Sequence, residues 1–223
     1  EERKLGLPNE EAEGVTTGLK FLSELAMGEG GKVHGKVIVI GGGNTAIDSA
    51  RTALRSGAET VSIVYRRTKQ EMPAQMQEIE EAEREGIKII FLATPIKIIT
   101  SPQRRVKALI CQKMRLGEFD LSGRRKPVPV EGERFEVEAD SVIVAIGQFP
   151  LIENDWQLQC RKDGTIIIEE KTLQTGLSGV FAGGDAVSGP STVVEAVAQG
   201  KKAAETIEKY LNPEGKIAVS YIH

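Results

Sequence analysis

Cysteine is nearly missing from this chain. Cys111 and Cys160 stand far apart with no CxxC spacing. That arrangement argues against a disulfide framework, an iron–sulfur cluster or a zinc site built from these residues, and fits a reducing, cytoplasmic setting. Long apolar runs are missing too. Stretches such as Lys88–Thr94 are strand-length and cannot span a bilayer. The amino end carries no secretory signal pattern. Charge is close to balanced: a net charge of −3 excludes the strong basic field that nucleic acid or an anionic membrane would require. Internal repeats and low-complexity tracts are absent. What is abundant is glycine, with 24 residues, which suits nucleotide-binding loops and tight turns. A 223-residue chain with 40% hydrophobic content can build one large domain or two small ones.

Hydrophobic spacing predicts the order of elements. Residues 1–14 are charged, carry Gly6, Pro8 and Gly14, and read as a linker. Leu19, Leu22, Leu25 and Ala26 predict a helix over Val15–Met27, ended by Gly28, Gly30 and Gly31. Val37–Ile40 is a continuous apolar run, as expected of a strand buried on both faces. Ala46, Ile47, Ala50, Ala53 and Leu54 share one face of a following helix, which Gly57 stops. A strand at Val61–Tyr65, a charged helix from Pro73 through Arg84 and a strand at Ile87–Leu92 complete a β-α-β-α-β run. This pattern predicts an α/β, Rossmann-like parallel sheet.

After Pro95 the pattern changes. Short alternating segments over residues 96–140, with turns at Ser101-Pro102 and Ser122-Gly123, predict a small antiparallel meander. Ser141–Ile146 returns as a buried strand closed by Gly147. Beyond Pro150 a second unit is expected. It comprises a hairpin around Lys162-Asp163-Gly164, strands at Thr165–Ile168 and Val180–Ala182, and a helix from about Ser191 to Tyr210.

Gly41-x-Gly43-x-x-Ala46 directly follows a strand and opens a helix. The first glycine permits the turn, the second lets backbone approach a pyrophosphate, and Ala46 keeps the helix close to the sheet. The helix amino terminus supplies free N–H groups and positive dipole. At the end of the second strand, where an NAD site carries a carboxylate, this chain has Tyr65-Arg66-Arg67-Thr68-Lys69. Two guanidiniums suit a 2′-phosphate, so NADP is preferred over NAD. Tyr65 and Lys69 also match a YxxxK catalytic pair, but such a pair belongs on a later helix rather than at a strand end. Glu71 and Glu78 resemble a carboxylate pair and read instead as a solvated helix face. In Gly179–Asp185 an apolar strand ends in two glycines and a carboxylate, and Gly189-Pro190-Ser191-Thr192 then opens a helix aimed at the same place. That constellation points to a second dinucleotide, a flavin.

Leu5–Pro8, Val37–Asp48, Val64–Ala74 and Phe181–Asp185 together resemble the small (beta) subunit family of NADPH-dependent glutamate synthase. Its relatives include the amino-terminal half of dihydropyrimidine dehydrogenase and flavin-based ferredoxin:NADP oxidoreductases. The resemblance implies an NADP domain inserted into an FAD domain, with electrons passing from NADPH to FAD and through iron–sulfur clusters to a partner. It implies that Gly41, Gly43, Asn44, Thr45 and Ala46 hold the NADP pyrophosphate, and that Arg66 and Arg67 hold the 2′-phosphate. Ala145-Ile146-Gly147 would lie at the domain junction. Gly184 and Asp185 would contact FAD, and Thr192 and Val193 would approach the flavin ring. The family's cysteine clusters and first glycine-rich FAD loop do not occur here, so the sequence is expected to be a piece of a longer protein.

The expected domains are therefore a linker over 1–14, an NADP-binding domain over 15–150 and the carboxy-terminal part of an FAD domain over 151–223. The expected partners are the missing FAD and iron–sulfur segments and a large synthase subunit or ferredoxin-type acceptor. No acid, base or nucleophile is expected, because the cofactors carry the chemistry of hydride transfer. A non-catalytic NADP-binding module and a stand-alone NAD(P) dehydrogenase are the alternatives. Ile166, Ile168, Val180, Val194 and Val197 are expected to form an uncovered apolar face. Such a face would fold back on the chain, pair with a second copy as a homodimer, or stay partly disordered.

Overall fold

The computed structural model describes residues 1–31, 33–120 and 123–213. The chain forms two compact units, one of Glu2–Gly147 and one of Glu1 with the residues from Gln148 onward.

The first unit is built on a five-stranded parallel sheet. Its strands are β1 (Val15–Thr17), β2 (Lys36–Ile40), β3 (Thr60–Val64), β4 (Lys88–Ile90) and β8 (Ser141–Val144), in spatial order β1-β8-β2-β3-β4. Helices α1 (Gly18–Ala26), α2 (Asn44–Arg55) and α3 (Met76–Arg84) make the crossovers. Strand side chains alternate in direction, so each strand feeds two cores. Val37, Val39, Val61, Ile63 and Ile143 pack with Phe21 of α1, with Ala46, Ile47, Ala50 and Ala53 of α2, and with Ile79 and Ala82 of α3. Ile38, Ile40, Val64, Val142 and Val144 pack instead with Ile98, Val106, Leu109 and Cys111. This double burial explains the unbroken apolar run of β2.

The second core is roofed by an antiparallel sheet of β5 (Ala93–Thr100), β6 (Val106–Phe119) and β7 (Arg125–Glu138). These strands are longer than the sequence suggests, because bulges scramble the alternation. Between Gln112 and Met114 the pairing jumps from Arg134 to Pro129. The buried Gln112 amide fills the gap, donating to the Glu133 carbonyl at 2.8 Å. Of the expected Ser122-Gly123 turn, Ser122 lies outside the described residues.

Three further expectations change. Val15–Thr17 is not helix but β1, paired with Val142–Val144, so α1 begins only at Gly18. The charged helix starts at Met76, not Pro73; a 3-10 turn at Lys69–Glu71 intervenes, closed by a capping box between Thr68 and Glu71. The segment before Val15 is no free tether. The Glu10 carboxylate accepts from the Leu5 and Gly6 amides, and Ala12 is buried.

The second unit has little regular sheet. The strands expected at Thr165–Ile168 and Val180–Ala182 are reduced to isolated bridges, Cys160 with Ile166, Ile168 with Thr175 and Gln174 with Phe181. Its helices are α4 (Asp185–Ser188) and α5 (Val193–Leu211). Helix α5 is tethered by Tyr210, which packs edge-on to Phe181 at 5.7 Å and shares a 2.9 Å hydrogen bond with Ser178. Lys202 Nζ adds a bond to the Glu170 carbonyl at 2.6 Å. Ile166, expected on the uncovered face, is buried; Val194 and Val197 are exposed as expected, and so is Val193.

Helices α2 and α3 are joined by two arginines of α2. Arg51 pairs with Glu78, Glu81 and Glu85, and Arg55 also reaches Glu85. Oε1 of Glu85 takes all its donors, whereas its buried Oε2 has none among the described residues. Hydrogen bonding from Arg51 holds Glu85 below the usual carboxylate range. A carboxyl depressed in the folded state stabilises it above the unfolded pKa and loses that effect as pH falls. Arg51→Met is expected to lower the thermal midpoint at pH 7. The deficit should shrink as pH drops below 4.5, the ordinary value for glutamate. Calorimetric melts from pH 7 to pH 3 test this; a deficit independent of pH would refute the electrostatic account.

Candidate functional site

The carboxyl edge of the parallel sheet carries the glycine loop. Gly41 donates to the Val64 carbonyl at 3.1 Å, and Ala145 donates to the Ile40 carbonyl at 2.8 Å. The loop is thus pinned between β3 and β8. Gly41 has φ +147°, and a Cβ there would collide with the Ala145 carbonyl oxygen. A Cβ on Gly42 would strike the Tyr65 ring. Gly43 differs: the nearest atom to its Cβ position is Pro73 Cγ at 3.9 Å. Gly43 is the N-cap of α2, in extended backbone, and no side chain caps the helix. The first N–H groups of α2 therefore lie beside glycine backbone, with no side chain capping them among the described residues, at the positive end of a 12-residue helix. That geometry fits a pyrophosphate.

Neighbouring predicted residues fall into place around this loop. Ala46 is fully buried against the sheet, as close helix packing requires. Thr45 is half-buried, and its Cγ2 lies 2.9 Å from where a Cβ on Gly18 would be, so α1 and α2 begin side by side. Asn44 is exposed, and its Oδ1 accepts from the Gln75 amide at 3.2 Å, tying the start of α2 to that of α3. Gly147, with φ +101°, accepts from the Arg3 amide at 3.0 Å and ends the first unit.

The two arginines at the end of β3 separate. Arg66 is exposed and makes no hydrogen bond or ion pair among the described residues. Desolvation, then repulsion from Arg67 and Arg124, pull its guanidinium below the ordinary arginine range, with Tyr65 and Asp120 opposing. Arg67 is buried. Its Nε donates to the Arg125 carbonyl at 2.6 Å and its Nη2 pairs with Asp120 at 2.7 Å. Sequence placed both guanidiniums on a phosphate; the structure leaves Arg66 exposed and buries Arg67 on Asp120 and the Arg125 carbonyl, in the bend that follows β3.

The rejected pairs also find structural roles. Tyr65 is buried, and its hydroxyl donates to the Glu71 carbonyl at 2.6 Å; Lys69 pairs with Glu83. Glu71 is spent on the capping box and Glu78 on Arg51. Sequence reasoning missed a cleft of about 200 Å³ beside the start of α2, lined by Asn44, Ile47, Asp48, Gln75 and Glu78. Partial burial, then repulsion from Glu78, raise the Asp48 carboxyl, with Arg51 opposing. The only signal for it was the i, i+4 spacing of Asn44 and Asp48.

In the second unit Gly184 has φ +66°, and its amide donates to Gln199 Oε1 of α5 at 2.6 Å. Asp185 is exposed, and its Oδ1 accepts from the Ser191 amide at 3.2 Å. Thr192 caps α5 by accepting from the Glu195 amide at 3.2 Å, and Val193 is 80% exposed. Gly184, Asp185, Thr192 and Val193 thus gather at one end of a 19-residue helix.

The profile of the pyridine nucleotide-disulphide oxidoreductase family matches residues 1–200. The chain is 47% identical over 200 residues to the beta subunit of the NADP(+)-dependent formate dehydrogenase of Moorella thermoacetica, covering 89% of this chain and 28% of that protein. It is 40% identical over 222 residues to the beta subunit of the NADPH-Fe(3+) oxidoreductase of Geobacter sulfurreducens, covering 89% and 33%. It is 37% identical over 224 residues to the NADPH glutamate synthase small chain of Escherichia coli, covering 92% and 47%. The chain therefore spans less than half the length of each of these relatives. Among solved structures, Lactococcus lactis thioredoxin reductase superposes with a TM-score of 0.74 at 24% identity, over 96% of this chain and 64% of that one. Mycobacterium tuberculosis FprA in complex with NADPH superposes with a TM-score of 0.76 at 19% identity, over 99% and 64%. At these identities the superpositions establish a shared fold.

The three loop glycines should respond differently to substitution. Gly41→Ala and Gly42→Ala are expected to destabilise the fold, because each added methyl meets fixed backbone or a buried ring; overpacking of this kind costs about 1–3 kcal/mol. Gly43→Val should melt within a few degrees of the parent chain yet lose dinucleotide binding. Thermal melts paired with nucleotide titration check both. Normal binding by Gly43→Val would place the phosphates elsewhere.

Proposed function

The chain belongs to the pyridine nucleotide-disulphide oxidoreductase family, and from that premise we propose that it is the NADPH-binding portion of a flavin-dependent oxidoreductase. The observation that carries this reading is the α2 amino terminus, which no side chain caps, together with Arg66 after β3, which makes no hydrogen bond or ion pair among the described residues. In this reading the α2 amides and the backbone of Gly41 and Gly43 hold the pyrophosphate. Asn44 and Thr45 flank it and Ala46 keeps the helix seated. Arg66 meets the 2′-phosphate through charge-assisted hydrogen bonds. Gly184, Asp185, Thr192 and Val193 form the part of a flavin site that this chain supplies, with Asp185 accepting from a sugar-alcohol hydroxyl. The chemistry supplied when both dinucleotides are bound is hydride transfer from reduced nicotinamide to flavin. The chain's own contribution is position and charge.

The relatives' names support the rest of the proposal. Two are beta subunits and one is a small chain, and the chain spans only part of each. We place residues 15–150 as the NADP domain and 151–223 as the carboxy-terminal part of the FAD domain. The other FAD segments and an iron–sulfur acceptor would lie outside this sequence. The exposed Val193, Val194 and Val197 favour this over a self-sufficient binding module, since a finished domain would cover them.

Titration calorimetry should show NADPH binding about tenfold to a hundredfold tighter than NADH, the worth of one or two charge-assisted contacts. Arg66→Ala should remove most of that difference; equal affinities in the parent chain would sink the reading. The purified chain is also expected to be colourless and unable to oxidise NADPH, even with added FAD. A visible absorbance scan and a stopped assay decide this, and a yellow protein with stoichiometric FAD would overturn the incomplete-site account.

A further inference from the structure

Between the 3-10 turn at Lys69–Glu71 and α3, the chain runs along the glycine loop. Met72 and Ala74 are buried in the core that α2 and α3 share, whereas Pro73 and Gln75 are exposed. Three hydrogen bonds hold this short strap. At its start the Glu71 carbonyl accepts from the Tyr65 hydroxyl at 2.6 Å. In its middle the Ala74 amide donates to the Gly42 carbonyl at 3.1 Å. At its end the Gln75 amide donates to Asn44 Oδ1 at 3.2 Å. Pro73 Cγ lies 3.9 Å from the place a Cβ on Gly43 would take. The second glycine of such a loop stays bare so that a pyrophosphate can approach its backbone. Pro73 therefore borders the side of Gly43 from which that approach is made.

Asn44 makes no other hydrogen bond among the described residues. A backbone N–H can only donate, so the Gln75 amide fixes the side-chain oxygen of Asn44 on the strap. We propose that Met72–Gln75 forms one wall of the pyrophosphate cradle, with Pro73 turned to the ligand and Asn44 pinning the strap, so that Asn44 is a positioning residue and not a phosphate ligand. This rests on the NADPH reading of the site. The pyrophosphate is common to NADPH and NADH. The strap therefore contributes affinity for both, and the choice between them stays with Arg66.

Calorimetric titration of NADPH and NADH into the 223-residue chain tests this. Each titration is run well below the variant's thermal midpoint, so a change in affinity reports the cradle and not the fold. Asn44→Ala is expected to weaken both cofactors by the same factor, about threefold to tenfold, as loss of one hydrogen bond should. Asn44→Asp keeps an oxygen acceptor for the Gln75 amide and is expected to bind both cofactors more tightly than Asn44→Ala. A phosphate ligand would give the opposite order, because its NH2 would be replaced by a carboxylate set against the pyrophosphate. Weaker binding by Asn44→Asp than by Asn44→Ala therefore overturns the pin. Tyr65→Phe frees the other end of the strap while keeping the ring against Gly42, and it too is expected to weaken both cofactors. Unchanged affinity in both Asn44→Ala and Tyr65→Phe refutes the strap, and so does a loss confined to NADPH. Normal binding by Gly43→Val would instead overturn the reading of the site, and this inference with it.

Discussion

The close approach of three backbone segments at the carboxyl edge of the sheet governs the first unit. Gly41 lies against the Ala145 carbonyl, and Gly42 lies on the Tyr65 ring. Neither position has room for a side chain, so β2, β3 and β8 converge on one turn and α2 starts at a fixed point. Every other component of the proposed nucleotide site is placed relative to that start. Asn44 carries it to α3 through the Gln75 amide, Thr45 carries it to α1, and Tyr65 carries it to the Thr68–Glu71 turn.

Charge follows the same geometry. A pair of adjacent arginines reads in sequence as a doubled phosphate grip. In the bend after β3, however, Arg66 is exposed and Arg67 is buried. The inward one must be neutralised to be buried, and Asp120 does this. The same logic disposes of the carboxylates on α3. Glu78 and Glu85 are drawn to Arg51, so they fasten one helix to another, and Glu78 lines the cleft together with Asp48.

Legibility in sequence tracked how many independent signals each element carried. Strand β2, the glycine turn and α2 were readable because period, composition and glycine placement agree. Strand β1 was not, because Val15–Thr17 is too short for a period and runs into the apolar spacing of α1. The length of β6 and β7 was hidden by bulges, which break alternation without any composition signal. The role of Arg67 was unreadable because its partner lies 53 positions away, just past the end of β6. In the second unit, Thr165–Ile168 and Val180–Ala182 have strand-like sequences but make only bridges. A strand pattern needs a neighbour to become a strand, and the described residues there provide few.

That second unit separates local order from packing. The start of α5 is already arranged: Thr192 caps the helix, Asp185 holds Ser191, and Gln199 holds Gly184. Such a cap contributes about 1 kcal/mol. The outer face of α5 is another matter. Val193 and Val194 are 80% and 77% exposed, and burying a valine side chain is worth about 1.5–3 kcal/mol. Packing of that face would therefore outweigh the cap that orders the helix start. The capped turn fixes where Asp185 stands, whereas the stability of the helix that presents it depends on what covers Val193, Val194 and Val197. Within the first unit α2 buries Ala46, Ile47, Ala50 and Ala53 against the core, and no side chain caps its amino terminus among the described residues. Helix α2 is packed along its face and left without a side-chain cap at its start, whereas α5 is capped at its start and left bare along its face.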